Sequence, residues 1–221
     1  MVMRKITKSA AVVTTFVIFT AGFSSIASAV ESTAKVVCNE TSAVAHREKK
    51  VAIPKVIKSS KNKTITLITN CGKIVIKANS KNAPITTSMI TGLVNSGFYD
   101  MSICHRMISS DNASLLQCGD PTASGFGGPP FTFKDENLPS PTEKNYPMGS
   151  VAMANPGARD QNGSQFFIMA SDTTLGPNYS IWGEVVSGLE IVKAVVNNGT
   201  EDKNPVGKPR TKIAIEKATV R

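Results

Sequence analysis

The sequence predicts a mainly β domain, a closed or nearly closed barrel with helices over its openings. Three observations carry the prediction. From residue 64 onward most of the chain falls into short apolar runs separated by turns rich in Gly, Pro and Asn. Only two stretches repeat their apolar residues at helical spacing. Strands and helices do not alternate, as a doubly wound α/β sheet would require.

The elements follow in order. Residues 1–29 have the three parts of a signal peptide: the cationic Met1–Lys8, the apolar Ala10–Phe23, and small residues Ala27-Ser28-Ala29 at the cleavage position. An uncleaved N-terminal membrane anchor is the alternative, and both place the domain outside the cytoplasm, secreted or at the cell surface. Residues 30–61 show no sustained period and are rich in Lys, Ser, Thr and Ala, so a flexible basic spacer is expected. The domain, 62–221, opens with a hairpin, Thr64–Thr69 and Lys73–Lys77 about the turn Asn70-Cys71-Gly72. Ala83–Ser96 is a helix: Pro84 suits its first turn, Ile85, Met89 and Leu93 recur every four residues, and Gly97 ends it. Strands are expected at Cys104–Ile108, Ser114–Cys118, Ser150–Ala154, Gln165–Ala170, Ile181–Val186 and Lys212–Thr219, with a second short helix at Leu189–Val196.

With 221 residues, 41% of them apolar, the chain is one ordinary domain plus extensions, too short for two sizeable ones. Average Gly and Pro usage excludes collagen-like and disordered chains, and the lack of an internal repeat excludes solenoids and propellers. The net charge of +9 suggests nucleic acid, but Arg4, Lys5 and Lys8 belong to the export segment. Beyond residue 29, 22 bases face 16 acids, with much of the excess in 47–63, where Glu48 alone opposes seven Lys and Arg. This reads as a solvated basic tail, and no nucleic-acid partner is expected.

Cys38, Cys71, Cys104 and Cys118 all lie in the exported part, where disulfides persist. Four thiols allow three pairings, and spacing does not choose among them. There is no C-x-x-C pair, and only His46 and His105 supply imidazole, so neither a zinc site nor a redox-active pair is expected. The run Asp120–Gly128 lacks the Gly-Lys-Ser/Thr ending of a phosphate cradle and reads as loop geometry. Ser164 is not flanked as a nucleophile elbow requires, and His105 is the single in-domain histidine, which leaves a Ser-His-acid hydrolase little to work with. What stands out is a sparse polar set among apolar residues: His105-Arg106, Gln117, Asn155 and Gln165, with Phe166-Phe167 adjacent. Inward amides must find partners, and strand periodicity sends Gln165 and Phe167 to one face and Phe166 to the other.

His105-Arg106, the run Gln117-Cys118-Gly119-Asp120-Pro121-Thr122, Gly127-Gly128, Phe133–Glu136, Gly149–Asn155 and Asn162–Ile168 together resemble the cyclophilin family of peptidyl-prolyl cis-trans isomerases. The resemblance covers about residues 64–221 with its motifs in order, in the form of an exported bacterial-type member. It implies a closed eight-stranded antiparallel barrel capped by two α-helices, in agreement with the elements above. It also implies an enzyme without metal or cofactor. Arg106 would be the cation near the prolyl amide, and Gln117 would orient Arg106 and the substrate carbonyl. Asn155 would bind the residue before proline through its backbone, with Ala154 and Gln165 lining the adjoining groove. Phe167, Leu175, Tyr179, Leu115 and Ser114 align with the positions that line the proline slot.

Some positions depart from the family pattern. Ser114 stands where the family has Phe, and the segment Met107–Ala113 is about three residues longer than usual, so an inserted residue is a second candidate for that wall. Thr174 replaces a Trp that contacts cyclosporin in many members, which implies weak binding of that drug. The Pro156–Gln161 loop carries one extra residue. By the same resemblance Cys104 and Cys118 fall on neighbouring strands near the site, as a disulfide or as two buried thiols; Cys38 reaching Cys71 through the spacer is a weaker expectation. The function implied is isomerisation of X–Pro bonds in proline-containing unfolded or flexible polypeptides, assisting exported proteins to fold, by a monomer. The alternative is a binding module of the same fold that holds such segments with little turnover.

Overall fold

A computed structural model describes residues 35–58 and 61–221. The expected export signal or anchor at 1–29 lies outside the described residues. The strands are β1 (Lys63–Thr69), β2 (Gly72–Ala78), β3 (Ser102–Ile103), β4 (Arg106–Ser109), β5 (Ser114–Cys118), β6 (Ser150–Met153), β7 (Phe166–Met169), β8 (Ile181–Ser187), β9 (Val206–Gly207) and β10 (Ala214–Val220). They form one sheet in the order β3-β10-β1-β2-β8-β6-β7-β5-β4-β9, and its pairings are antiparallel. Among the described residues the helices are α1 (Pro84–Asn95) and α2 (Leu189–Asn197).

Eight strands in a closed barrel were expected, and the sheet differs in detail. β3 and β9 are two residues long, too short to carry a readable period, and the edges β3 and β9 are not hydrogen-bonded to each other. The sheet nevertheless curls. β3 lies at one edge and β4 next to the other, with Cys104 and His105 alone between them in the chain. So short a link brings those ends close together. The Cys104–Cys118 disulfide crosses this seam to β5.

The alternation of side chains on each strand separates two apolar groups. Inside the curl, Ile65, Leu67, Ile74, Ile76, Met107, Leu116, Val151, Phe166, Ile168 and Trp182 pack with Leu93 of α1 and Val192 of α2. Burying each such side chain is worth roughly 1.5–3 kcal/mol. On the other face, Leu115, Tyr146, Ala152, Phe167 and Met169 form a smaller group, joined by the partly buried Ile108, Ala154, Leu175, Tyr179 and Ile181. The expected split of Phe166 from Phe167 is what the structure shows.

α1 has Pro84 in its first turn, as its sequence predicts. At its C-terminus Gly97 takes a φ of 66° while its N–H bonds Val94 O and the Phe98 N–H bonds Leu93 O, both at 3.0 Å. This double bond pattern caps the last carbonyls and stops the helix. In α2, Ile191, Val192, Val195 and Val196 form the buried stripe.

Residues 35–58 belong to the stretch expected as a flexible basic spacer, 30–61. They form no helix or strand, yet they lie on the domain as a strap. Cys38 bonds Cys71 in the β1–β2 turn, and Asn70 Nδ2 donates to Asn39 O at 2.8 Å. Ala43 is fully buried, the His46 N–H donates to Pro121 O at 2.8 Å, and the Ile57 N–H donates to Ser88 Oγ of α1 at 2.8 Å. Pro54 sits so close to Gly92 that a Cβ there would collide with its ring. Anchors of this kind follow no 2.0 or 3.6 period, so periodicity does not reveal them.

Candidate active site

The smaller apolar group is where the polar set gathers. β4 and β5 pair with Arg106 opposite Gln117 and Ile108 opposite Leu115. Because alternate residues share a face, these four stand together, and Phe167 of β7 lies opposite Gln117 on the next strand. They line a groove of about 350 Å³ with Gly125, Ala154, Asn155, Leu175 and Tyr179.

Hydrogen bonds run through the polar members in sequence. Arg106 Nη1 donates to Gln117 Oε1 at 3.1 Å, and Gln117 Nε2 donates to Gln165 Oε1 at 2.8 Å. Gln165 Nε2 donates to the carbonyls of Gly125 and Gly127 at 2.9 and 3.0 Å. Those two carbonyls accept only, so they fix which way the Gln165 amide points, and Gln165 in turn fixes Gln117. The guanidinium is half-buried and forms no salt bridge among the described residues.

Asp120 supports the far end of this chain. Its carboxylate, fully buried, accepts from Thr122 N–H and Oγ1–H at 2.8 and 2.7 Å and from the N–H groups of Gly125 and Gly127 at 2.6 and 3.2 Å. Burial pushes its pKa up, but these hydrogen bonds outweigh burial and hold the carboxyl below its ordinary value. The run from Asp120 to Gly128 is therefore loop geometry, as its sequence suggests, and it shapes the carbonyls that grip Gln165. His105 is buried beside it. Burial lowers its pKa, Asp120 opposes that shift, and Arg106 adds to it.

The apolar wall is aromatic on one side. Phe167 and Tyr179 meet edge to face at 5.5 Å between ring centroids. Tyr146, fully buried, backs both rings at 6.1 and 6.2 Å. Its hydroxyl accepts the Tyr179 N–H at 3.1 Å and reaches the carbonyls of Gly176 and Tyr179, both at 3.2 Å; burial pushes its pKa up to about 12. Asn145 holds Leu175 by both its main-chain groups, at 2.8 and 3.0 Å. Asn155 uses its side chain locally: Nδ2 donates to Asn178 O at 2.9 Å and Oδ1 accepts the Gly157 N–H at 3.0 Å.

The geometry brings together Arg106, Gln117, Ala154, Asn155, Phe167, Leu175, Tyr179 and Leu115. Gln165 lines the adjoining groove. Ser114 is not among the lining residues of either; it pairs with Ser109, one step out of phase with the groove face. Ile108, from the lengthened segment, supplies the apolar wall instead, and counting by twos from Arg106 would have found it.

A family model of cyclophilin-type peptidyl-prolyl cis-trans isomerases matches residues 64–220. The chain belongs to this family. A probable peptidyl-prolyl cis-trans isomerase B of Mycobacterium tuberculosis is 36% identical over 166 residues, 69% of this chain and 52% of that protein. The Mycobacterium leprae protein of the same name is 34% identical over 161 residues, 68% of this chain and 54% of its own length. The chain thus spans about half the length of these relatives. Among solved structures, a cyclophilin-type isomerase of Cryptosporidium parvum superposes with a TM-score of 0.61 at 26% identity, covering 72% of this chain and 98% of that one. The same Cryptosporidium protein, crystallised in the presence of the dipeptide Ala-Pro, superposes with a TM-score of 0.60.

Within this cyclophilin, sequence reasoning missed Asn145, Tyr146 and the supporting role of Asp120. Tyr146 lies between strands, where no period marks its ring as buried. The signal for Asp120 was present: an acid two residues before Thr in a Gly-rich run is the pattern of a side chain that organises its own turn.

Proposed function

We propose that the protein accelerates cis-trans isomerisation of X–Pro peptide bonds in unfolded or flexible polypeptides. One observation carries the reading: an Arg106 guanidinium that forms no salt bridge among the described residues, aimed by Gln117 and Gln165, at the edge of a groove walled by Ile108, Leu115, Phe167, Leu175 and Tyr179. Rotation about an X–Pro bond is slow because amide resonance must be broken, a barrier of ~18–20 kcal/mol. As the bond twists, the prolyl nitrogen becomes pyramidal and gains a lone pair. A guanidinium N–H directed at that nitrogen stabilises the twisted form and offers nothing comparable to the planar one, which is differential binding of the transition state. Phe167, Leu115, Ile108, Leu175 and Tyr179 seat the ring. The main chain of Asn155 holds the preceding residue, and Gln117 aligns the cation.

We place the domain in an oxidising, extracytoplasmic setting, where it helps exported proteins fold. The Cys38–Cys71 and Cys104–Cys118 disulfides support that setting. The test is the cis-to-trans rate of a short X–Pro peptide with the full chain and with Arg106→Ala. Clear acceleration that falls by about tenfold or more in the variant, at least ~1.4 kcal/mol of transition-state stabilisation, is expected. Peptide binding with no acceleration by the folded wild-type chain would assign the groove to a holding module instead.

A further inference from the structure

A second groove, about 540 Å³, continues from the first: Gln117, Gly125, Ala154 and Asn155 line both. Its wall also takes in the Gly125–Pro129 loop, the segments 131–132 and 163–165, Pro156, Gln161, and one residue of the strap, Glu48. Among the described residues that line it, Glu48 alone is charged. The strap is fixed on both sides of Glu48. Two residues before it the His46 N–H bonds Pro121 O at 2.8 Å, and one residue after it Lys49 Nζ bonds Gly97 O at 2.5 Å. The neighbours Arg47 and Lys50 are exposed and do not line the groove, whereas Glu48 is half-buried. Glu48 forms no salt bridge among the described residues.

A part-buried carboxylate on a fixed backbone, with no ion-pair partner among the described residues and with its basic neighbours Arg47, Lys49 and Lys50 exposed to solvent, favours a cation in the cleft. The strap lies outside the stretch matched by the family model, 64–220, so this carboxylate is an addition to the shared fold. We propose that Glu48 is a specificity determinant that selects polypeptides with Lys or Arg upstream of the X–Pro pair. The inference rests on the peptide-binding reading above, in which Asn155 holds the residue before proline. The chain upstream of that residue then runs into the second groove. A Lys or Arg stem covers its apolar lining while the charged head reaches Glu48.

The experiment compares three peptides with alanine, lysine or glutamate upstream of an Ala-Pro pair. Affinity by titration and isomerisation by exchange spectroscopy are measured with the full chain, with Glu48→Gln and with Glu48→Lys. At low salt the wild type should favour the lysine over the glutamate peptide by about three- to tenfold, the advantage shrinking as salt shortens the Debye length. Within each variant the ratio of the two peptides cancels any change in basal activity. That ratio should fall to near one in Glu48→Gln and invert in Glu48→Lys. Equal ratios in all three proteins, or no preference in the wild type, overturn the proposal while leaving isomerisation intact. Failure of the alanine peptide to bind or to isomerise with the wild type overturns the peptide reading, and the role of Glu48 with it.

Discussion

Arg106 and Gln117 face each other across one rung of the β4–β5 ladder, joined by a single 3.1 Å hydrogen bond rather than by an ion pair. The neutrality of the partner matters. An amide aims the guanidinium without neutralising it, and its own N–H reaches Gln165. Gln117→Glu replaces that amide by a carboxylate that pairs Arg106 more strongly and points an anion at Gln165 Oε1. The fold should survive, because Gln117 is only half-buried. Catalytic efficiency should fall by about tenfold or more, a loss of ~1.4 kcal/mol or above, mostly in kcat. A Gln117→Glu enzyme as fast as wild type would remove the uncompensated cation from the mechanism.

The position of Ile108 makes a separate prediction about the slot. Ile108→Ala should raise KM for X–Pro peptides and lower stability by about 1–3 kcal/mol, less than for a fully buried Ile. Ser114→Ala should leave kcat/KM within about twofold, since Ser114 is only half-buried and does not line the groove. Steady-state kinetics of the two variants side by side decide between the residues. Loss of activity in Ser114→Ala with none in Ile108→Ala would reverse the assignment.

That exchange shows where sequence was informative and where it was not. Arg106, Gln117 and Gln165 sit in regular strands or beside them, where period-two alternation and short motifs both point at them. Ser114 against Ile108 turned on the length of the Met107–Ala113 segment, which shifts the apparent alignment while the strand face stays fixed by register. The strap was illegible for another reason. Its anchors are a disulfide, isolated main-chain hydrogen bonds and the Pro54–Gly92 contact, each made with a residue distant in the chain. Lys- and Ser-rich composition carries no sign of these contacts. Tyr146 and β3 were hidden similarly, one by lying between strands and the other by being two residues long.

Both disulfides should be present in protein recovered without reductant, so a thiol assay under denaturing conditions should detect no free cysteine. Cys104–Cys118 closes a loop with a sequence separation of 14. On the chain-entropy account a loop of that size contributes about 3 kcal/mol. Replacing both cysteines by alanine should therefore lower the denaturant midpoint markedly, and because Cys118 adjoins Gln117 and Cys104 lies two residues before Arg106, it should also reduce activity. Four titratable thiols in the unreduced protein would contradict the pairing.

His105 gives stability a pH dependence of known sign. Burial, assisted by Arg106 and opposed by Asp120, keeps its pKa below the ordinary 6.5. The unfolded chain therefore takes up a proton near pH 6.5 that the folded chain refuses. Stability is full above that pH, declines as pH falls below about 6.5, and levels off only below the native pKa. Unfolding free energies measured across that range should show the decline in the wild type and a flatter profile in His105→Gln. An equally steep profile in the variant would place the proton uptake elsewhere.

Thr174 carries the last prediction. Its Oγ1 accepts the Lys144 N–H at 2.9 Å, so the side chain is tied into the segment that also holds Leu175 through Asn145 and the Tyr179 main chain through Tyr146. A residue so engaged presents no indole ring, where many members of the family have the Trp that contacts cyclosporin. Large aromatic side chains dominate binding where they fill pockets, with losses of about 2 kcal/mol or more on removal. Cyclosporin should accordingly inhibit this protein weakly, at micromolar rather than nanomolar concentration. Thr174→Trp should tighten inhibition, at some cost in stability from the lost Lys144 bond. Competitive titration against an X–Pro peptide reads both. Nanomolar inhibition of the wild type would show that the remaining groove residues suffice for the drug without the indole.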